Sequence, residues 1–143
     1  MAGLRSGVRC GVERLRILAQ HVPQRQDVIH GDLLNRNVLV ADSKIAAVFD
    51  WGCSLYGDHL YDIAWLTFCS PYTSGFDPEA VRDFAQQHYR GKSSAPVDFD
   101  LRIGCYELHI GLSAIAYQAF RGDRSAAVLL AAQTRAVLNR TGL

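Results

Sequence analysis

No apolar run in this chain approaches the roughly 20 residues needed to cross a bilayer, so the sequence predicts no membrane span. The four cysteines, Cys10, Cys53, Cys69 and Cys105, lie far apart and form no CxxC pair. That removes the usual basis for zinc or thiol redox chemistry and makes a reducing cytoplasm the expected location. A clustered basic face is also missing, because 15 Lys and Arg against 14 Asp and Glu leave a net charge of +1. General nucleic-acid binding is therefore not expected. There is no repeat, linker or low-complexity stretch, and 49% hydrophobic with 20% charged residues is ordinary globular composition. Residues 1–143 are expected to form a single domain, since this length supports one core and is short for two.

The charge is unevenly spread. Residues 1–25 carry five Arg against one Glu, whereas residues 26–83 carry nine acids against three bases. An acidic middle suits a site for cations, either metal ions or a cationic substrate. The Arg-rich start also fits a transit peptide. Val8, Val12, Leu15, Leu18 and Val22 repeat at helical spacing toward Pro23, however, and favour an amphipathic helix.

After that helix, Val28-Ile29-His30 reads as a short strand or an extended entry, and Gly31 to Arg36 as a polar loop. Val38-Leu39-Val40 and Ile45 to Phe49, separated by Asp42-Ser43, form a hairpin pattern. Beyond Asp58 the chain reads as helices. Asp58 suits the N-cap of a helix to about Cys69, with Leu60, Ile63, Ala64 and Thr67 on one face. Asp77-Pro78 opens the next, whose Val81, Phe84, Ala85 and His88 repeat before Gly91. Asp98 to Phe120 is apolar on nearly every side, which predicts a helix at the centre of a bundle. Gly122 stops it, Asp123 caps a last helix to about Asn139, and Gly142 ends that one. The expected class is α+β, mostly α, with a small hairpin beside a helical bundle.

The residues able to carry chemistry open at His30 and read HGDLLNRNVLVADSKIAAVFDWGCSLYGDHLYDIAW. If Asp42-Ser43 is a two-residue turn, Ala41 faces Lys44 and Asn37 faces Val48, with Asp50 just past it. Opposed residues lie about 5 Å apart. The hairpin therefore delivers Asn37 and Asp50 to one end, next to the loop carrying Asp32. Two carboxylates and an amide oxygen suit Mg²⁺, which takes one or two carboxylates with water and phosphate oxygens. They also leave one carboxylate to orient or deprotonate a hydroxyl. Singly, each has a plainer reading: Asp32 and Asn35 as turn formers, Asp50-Trp51-Gly52 as a strand ending, Trp51, Tyr61 and Trp65 as core or wall. Their order and spacing together carry the inference.

His30-Gly31-Asp32 followed by Asn37 matches the H-x-D-x-x-x-x-N catalytic loop of the kinase fold, and Asp50-Trp51-Gly52 stands where D-F-G stands. His-Gly-Asp, with Gly57-Asp58-His59-Leu60-Tyr61-Asp62 further on, resembles the aminoglycoside phosphotransferase and choline-kinase-like branch. The segment Leu101 to Gly104, with Tyr106-Glu107-Leu108, is loosely similar to hygromycin-type members. The resemblance runs from about Val12 to Asn139 and implies the catalytic C-terminal lobe of an ATP-dependent phosphotransferase acting on a small-molecule hydroxyl. It implies Asp32 as catalytic base, Asn37 and Asp50 as Mg²⁺ ligands, and His30 and Asp62 as supports of the loop. Asp98, Asp100 and Glu107 would face a cationic substrate, although the first two also suit a solvated helix start.

The chain departs from the family upstream. A complete member has a β-rich lobe whose glycine-rich loop and strand lysine hold the nucleotide. Only 29 residues precede His30, they read as a helix, and no GxGxxG occurs. Lys44, one of two lysines, falls in the hairpin turn. The sequence thus predicts a C-terminal lobe with weak or no ATP binding and little transfer alone. The alternative is a non-catalytic interaction module derived from the same fold, whose apolar surface meets the missing lobe or self-associates.

Overall fold

The computed structural model describes residues 2–70 and 75–141, with side chains from Ser6 onward. Gly142, expected to end the last helix, lies outside the described residues. The chain divides into two compact units, one made of residues up to Val22 with those from Asp98 onward, the other of Pro23–Val97.

The first unit is three helices: α1 (Ala2–Ala19), α4 (Phe99–Arg121) and α5 (Arg124–Arg140). α1 turns Gly11 and Leu18 fully inward and half-buries Val8, Val12 and Leu15, the face read from periodicity. α4 packs against both α1 and α5. From Arg102 to Gly111 it is buried on most sides through Ile103, Cys105, Leu108 and Ile110, with His109 exposed. Its second half is not, since Phe120 is 89% exposed. The all-round apolar pattern thus describes only the N-terminal part of α4. Gly122 ends α4 in the left-handed region (φ 77°), where glycine carries no Cβ penalty, and the Asp123 side chain accepts from Ala126 N at the start of α5.

Among its described residues the second unit holds two antiparallel strand pairs and two α-helices: β1 (Asp27–Ile29) with β4 (Leu55–Gly57), β2 (Val38–Ala41) with β3 (Lys44–Val48), α2 (Leu60–Cys69) and α3 (Pro78–Tyr89). The β1–β4 pair is additional to the single expected hairpin. Three residues each are too few for a periodic signal, and the pairing of Asp27 with Gly57, Val28 with Tyr56 and Ile29 with Leu55 defines them. α3 begins as read, with Asp77 accepting from Glu79 N and proline in the first turn. It buries Arg82 and Ala85 and leaves Phe84 73% exposed, against the expected apolar face.

The hairpin register corrects the expected pairing by one residue. Ala41 does pair with Lys44, but a bulge between Leu39 and Val40 shifts the ladder so that Val38 pairs with Val48. Asn37 O then accepts from Phe49 N at 3.1 Å, and Asp50 follows directly. The turn itself has both central residues at positive φ, Asp42 at 50° and Ser43 at 58°. That is the type I′ conformation, which matches strand twist and favours Asn-Gly. Replacing Asp42-Ser43 with Asn-Gly should therefore stabilise the protein by roughly 1 kcal/mol, or about 2–4 °C in the thermal midpoint. An unchanged or lower midpoint would mean that the turn carries no strain to relieve.

Candidate active site

The loop between β1 and β2 is fastened to α2. Asp62 Oδ2 accepts from His30 N at 2.8 Å, and its Oδ1 accepts from Gly31 N at 2.9 Å. Both oxygens of one carboxylate are used on successive backbone amides, which fixes the chain direction into Asp32. Gly31 sits at φ 78°, and a Cβ there would lie 2.5 Å from Cys53 O, so the loop needs glycine to pass this close. The His30 ring ties the loop to the end of β3. Its Nε2 bonds Phe49 O at 2.9 Å and its Nδ1 bonds Asp32 N at 3.3 Å. A carbonyl only accepts and an amide only donates, so the ring proton resides on Nε2. Trp51 covers the ring, with centroids 4.8 Å apart.

Asp32 projects from this loop into a set of donors. Asn37 Nδ2 donates to Asp32 O at 2.8 Å and to Asp32 Oδ2 at 3.2 Å. Trp65 Nε1 donates to Oδ1 at 3.1 Å. Arg36 Nη2 stands 3.0 Å from each carboxylate oxygen. Asn37, buried within a short 3-10 turn (Asn35–Asn37), thus directs its amide nitrogen to Asp32 and keeps its Oδ1 for other partners.

Asp50 differs. It lies just past β3 in the left-handed conformation (φ 63°), exposed, at the start of the Trp51–Cys53 turn. Its carboxylate has no hydrogen-bond or ion-pair partner among the described residues. A free carboxylate and an amide oxygen, one residue apart on paired strand ends, fit the hard-oxygen donor set of Mg²⁺. Asp32, its oxygens directed at nitrogen donors, suits a hydroxyl instead.

Asp98, Asp100 and Glu107 belong to the other unit. Asp98 and Asp100 are exposed at the start of α4, and Glu107 is buried, its Oε2 held by Arg140 Nη2 at 2.6 Å. The structure does not bring Glu107 to a surface. Sequence reasoning overlooked Trp65 and Arg36 as partners of Asp32. Neither belongs to a motif: Trp65 reaches Asp32 from α2 across 33 residues, and Arg36 sits four residues on in the same loop, which is not α-helical.

A second polar cluster joins β1 to the start of α2. Asp27, Asp58 and His59 bring ligand atoms within 4.8 Å of one another. Asp27 is already taken, by Arg25 Nε at 2.6 Å and His59 Nδ1 at 2.9 Å, while Asp58 Oδ1 accepts from Leu60 N at 3.2 Å. Asp58 therefore does bond the first turn of α2, although the helix boundary falls at His59. The Arg25 hydrogen bonds, then those from His59, hold the Asp27 carboxyl well below its ordinary 3.8. A depressed folded-state value adds stability that is fully present above about pH 4 and lost as pH falls below it. Asp27→Asn should flatten that acid limb of the stability curve, read as urea midpoints across pH. A mutant with the parent's acid dependence would assign the limb to other carboxylates.

Burial pushes the Cys69 and Cys105 thiols up to about 11, so both stay protonated at neutral pH. Among the described residues, no helix is long and apolar enough to cross a membrane.

Residues 11–95 match the model of the phosphotransferase enzyme family. Hygromycin-B 4-O-kinase from Escherichia coli is 28% identical over 114 residues, which is 80% of this chain and 31% of that enzyme. The crystal structure of aminoglycoside phosphotransferase APH(4)-Ia superposes with a TM-score of 0.80 at 22% identity, over 100% of this chain and 46% of that one. A thermostable mutant of it, in ternary complex with AMP-PNP and hygromycin B, gives 0.79 at 22% identity, over 97% and 45%. The chain spans less than half the length of these relatives. Its α+β, mostly helical architecture is that of the aminoglycoside kinase fold. With more than half its residues under one family model, the chain belongs to the phosphotransferase enzyme family.

Proposed function

We propose that residues 1–143 act as the acceptor-side, C-terminal lobe of an ATP-dependent phosphotransferase that modifies a hydroxyl of an aminoglycoside-type substrate. The observation that carries this reading is the division of labour between two acids. Asp32 is set by Asp62, His30, Asn37 and Trp65, whereas Asp50 has no partner among the described residues and directly follows Phe49, whose N–H donates to Asn37 O.

Asp32 orients the acceptor hydroxyl and takes its proton. The acceptor oxygen forms a bond to the γ-phosphorus as the bond from that phosphorus to the β–γ bridging oxygen breaks, and its electron pair leaves with ADP. Asn37 through Oδ1 and Asp50 through its carboxylate would hold Mg²⁺. When bound, the ion supplies charge neutralisation on the phosphates, the main requirement of a loose phosphoryl-transfer transition state. His30 and Asp62 keep the loop rigid.

Joining the chain to the nucleotide-binding lobe of a family enzyme tests the reading. The fusion should transfer γ-phosphate to an aminoglycoside in a Mg²⁺-dependent way, while the 143 residues alone bind MgATP weakly in calorimetry. A folded fusion that binds Mg·AMP-PNP yet phosphorylates no aminoglycoside would sink it, and a sub-micromolar complex with the chain alone would refute the assignment to one lobe.

The interaction-module reading draws on exposed apolar residues of the hairpin, Leu39, Val40 and Ile45. It requires a partner whose affinity is unchanged by Asp32→Asn, with no transfer by either form.

A further inference from the structure

The carboxylate of Asp32 offers about four lone-pair positions. Arg36 reaches both oxygens at 3.0 Å, Trp65 takes Oδ1 at 3.1 Å and Asn37 takes Oδ2 at 3.2 Å, so all four are engaged. The three donors are held very differently. Asn37 is buried and also bonded to Asp32 O, and Trp65 projects from α2. Arg36 is 63% exposed on its side chain, against 20% for Asp32, and has no other hydrogen-bond or ion-pair partner among the described residues. An exposed ion pair at this spacing is among the weakest of electrostatic contacts. Arg36 is the donor that can leave.

The place it would vacate is defined by the chemistry. A hydroxyl activated by Asp32 must come within roughly 2.6–3.2 Å of a carboxylate oxygen. Arg36 Nη2, at 3.0 Å, lies in that shell. The attacking oxygen in turn stands about 3–3.5 Å from the phosphorus. A guanidinium displaced by the hydroxyl is therefore one short swing from the phosphoryl oxygens. Its planar fork matches them in bidentate fashion, and its charge persists without any proton transfer.

We infer that Arg36 is a phosphate-binding residue, which exchanges the Asp32 carboxylate for the terminal phosphate of the bound nucleoside triphosphate as the acceptor hydroxyl takes its place. The inference rests on the phosphotransferase reading and deepens it. Asp32 hands one cation from itself to the group being transferred, on which negative charge is spread over three equatorial oxygens. Nucleoside diphosphate, lacking that group, gives Arg36 no reason to move.

Nuclear magnetic resonance on the ¹⁵N-labelled 143-residue chain reads this directly, with Mg²⁺ and either AMP-PNP or ADP at millimolar concentration. AMP-PNP should shift the Arg36 Nε–H resonance, and ADP should leave it in place. Arg36→Gln should weaken AMP-PNP about tenfold and ADP less than about twofold, the difference expected for losing one charge-assisted contact. Arg36→Lys, which keeps the charge without the fork, should recover part of that loss. Circular dichroism on each variant verifies an unchanged fold, as expected for an exposed side chain. If AMP-PNP shifts the amides of Asp32, Asn37 and Asp50 while Arg36 stays still and Arg36→Gln binds equally well, the inference is wrong and the phosphotransferase reading stands. If no amide between His30 and Asn37 or between Phe49 and Gly52 responds to either nucleotide, even when the labelled chain is joined to the nucleotide-binding lobe of a family enzyme, that reading fails and Arg36 loses its role with it.

Discussion

In the chain joined to a nucleotide-binding lobe, Asp32→Asn is expected to lower phosphoryl transfer by roughly 10²–10⁴-fold, the usual contribution of a positioned general base. The amide keeps the size and shape of the carboxylate but cannot take the hydroxyl proton. It also turns an NH₂ group toward donors. Trp65 Nε1, Asn37 Nδ2 and Arg36 Nη2 all point at the Asp32 oxygens, so one of the asparagine's two positions must face a donor with a donor. A modest loss of stability accompanies the substitution, about 1–2 kcal/mol. The two effects are separable: the activity loss should persist below the new unfolding midpoint, where the mutant is fully folded. Activity within about threefold of the parent would remove Asp32 from the role of base, since that contribution is far below the range for such groups.

Asp62→Ala should be the most disruptive single change in the second unit. It deletes both acceptors of the His30 and Gly31 amides at once, on a partly buried loop that cannot easily rehydrate them. Each unsatisfied group costs about 1–3 kcal/mol, so roughly 2–6 kcal/mol of stability is expected to go. Asp62→Asn retains one acceptor oxygen and should fall about halfway. The decisive readout is local. Hydrogen exchange at His30 and Gly31 should accelerate far more than exchange in α4, because the loop loses its anchor while the three-helix unit keeps its own core. Uniform acceleration across the chain would show that Asp62 supports the whole molecule and not the loop.

How much of this was legible in advance depends on the range of the interaction. The turn at Asp42-Ser43, the cap at Asp77-Pro78 and the stop at Gly122 were readable because each is decided within four residues. The hairpin was readable too, but its bulge was not. Val-Leu-Val against Ile-Ala-Ala-Val fits two registers equally well, and nothing in the alternation says which residue is extra. Phe84 and Phe120 were misplaced for a different reason. Periodicity assigns a residue to a helix face, and only packing decides whether that face is covered. Asp32, Asn37 and Asp50 were singled out by motif order. The donors that set Asp32 were missed, because an indole on α2 and a guanidinium in the loop reach it through space. Glu107 shows the reverse case: an acid read as available for substrate is closed off by Arg140, 33 residues away.

The central claim is that Asn37 and Asp50 hold a divalent cation beside Asp32. Paramagnetic broadening by Mn²⁺ in the presence of AMP-PNP tests it most directly, on the ¹⁵N-labelled chain. Signals from Gly31 to Asn37 and from Phe49 to Gly52 should fade first, and Asp50→Asn should restore them. Broadening centred on Asp27, Asp58 and His59, or indifferent to Asp50→Asn, would contradict it.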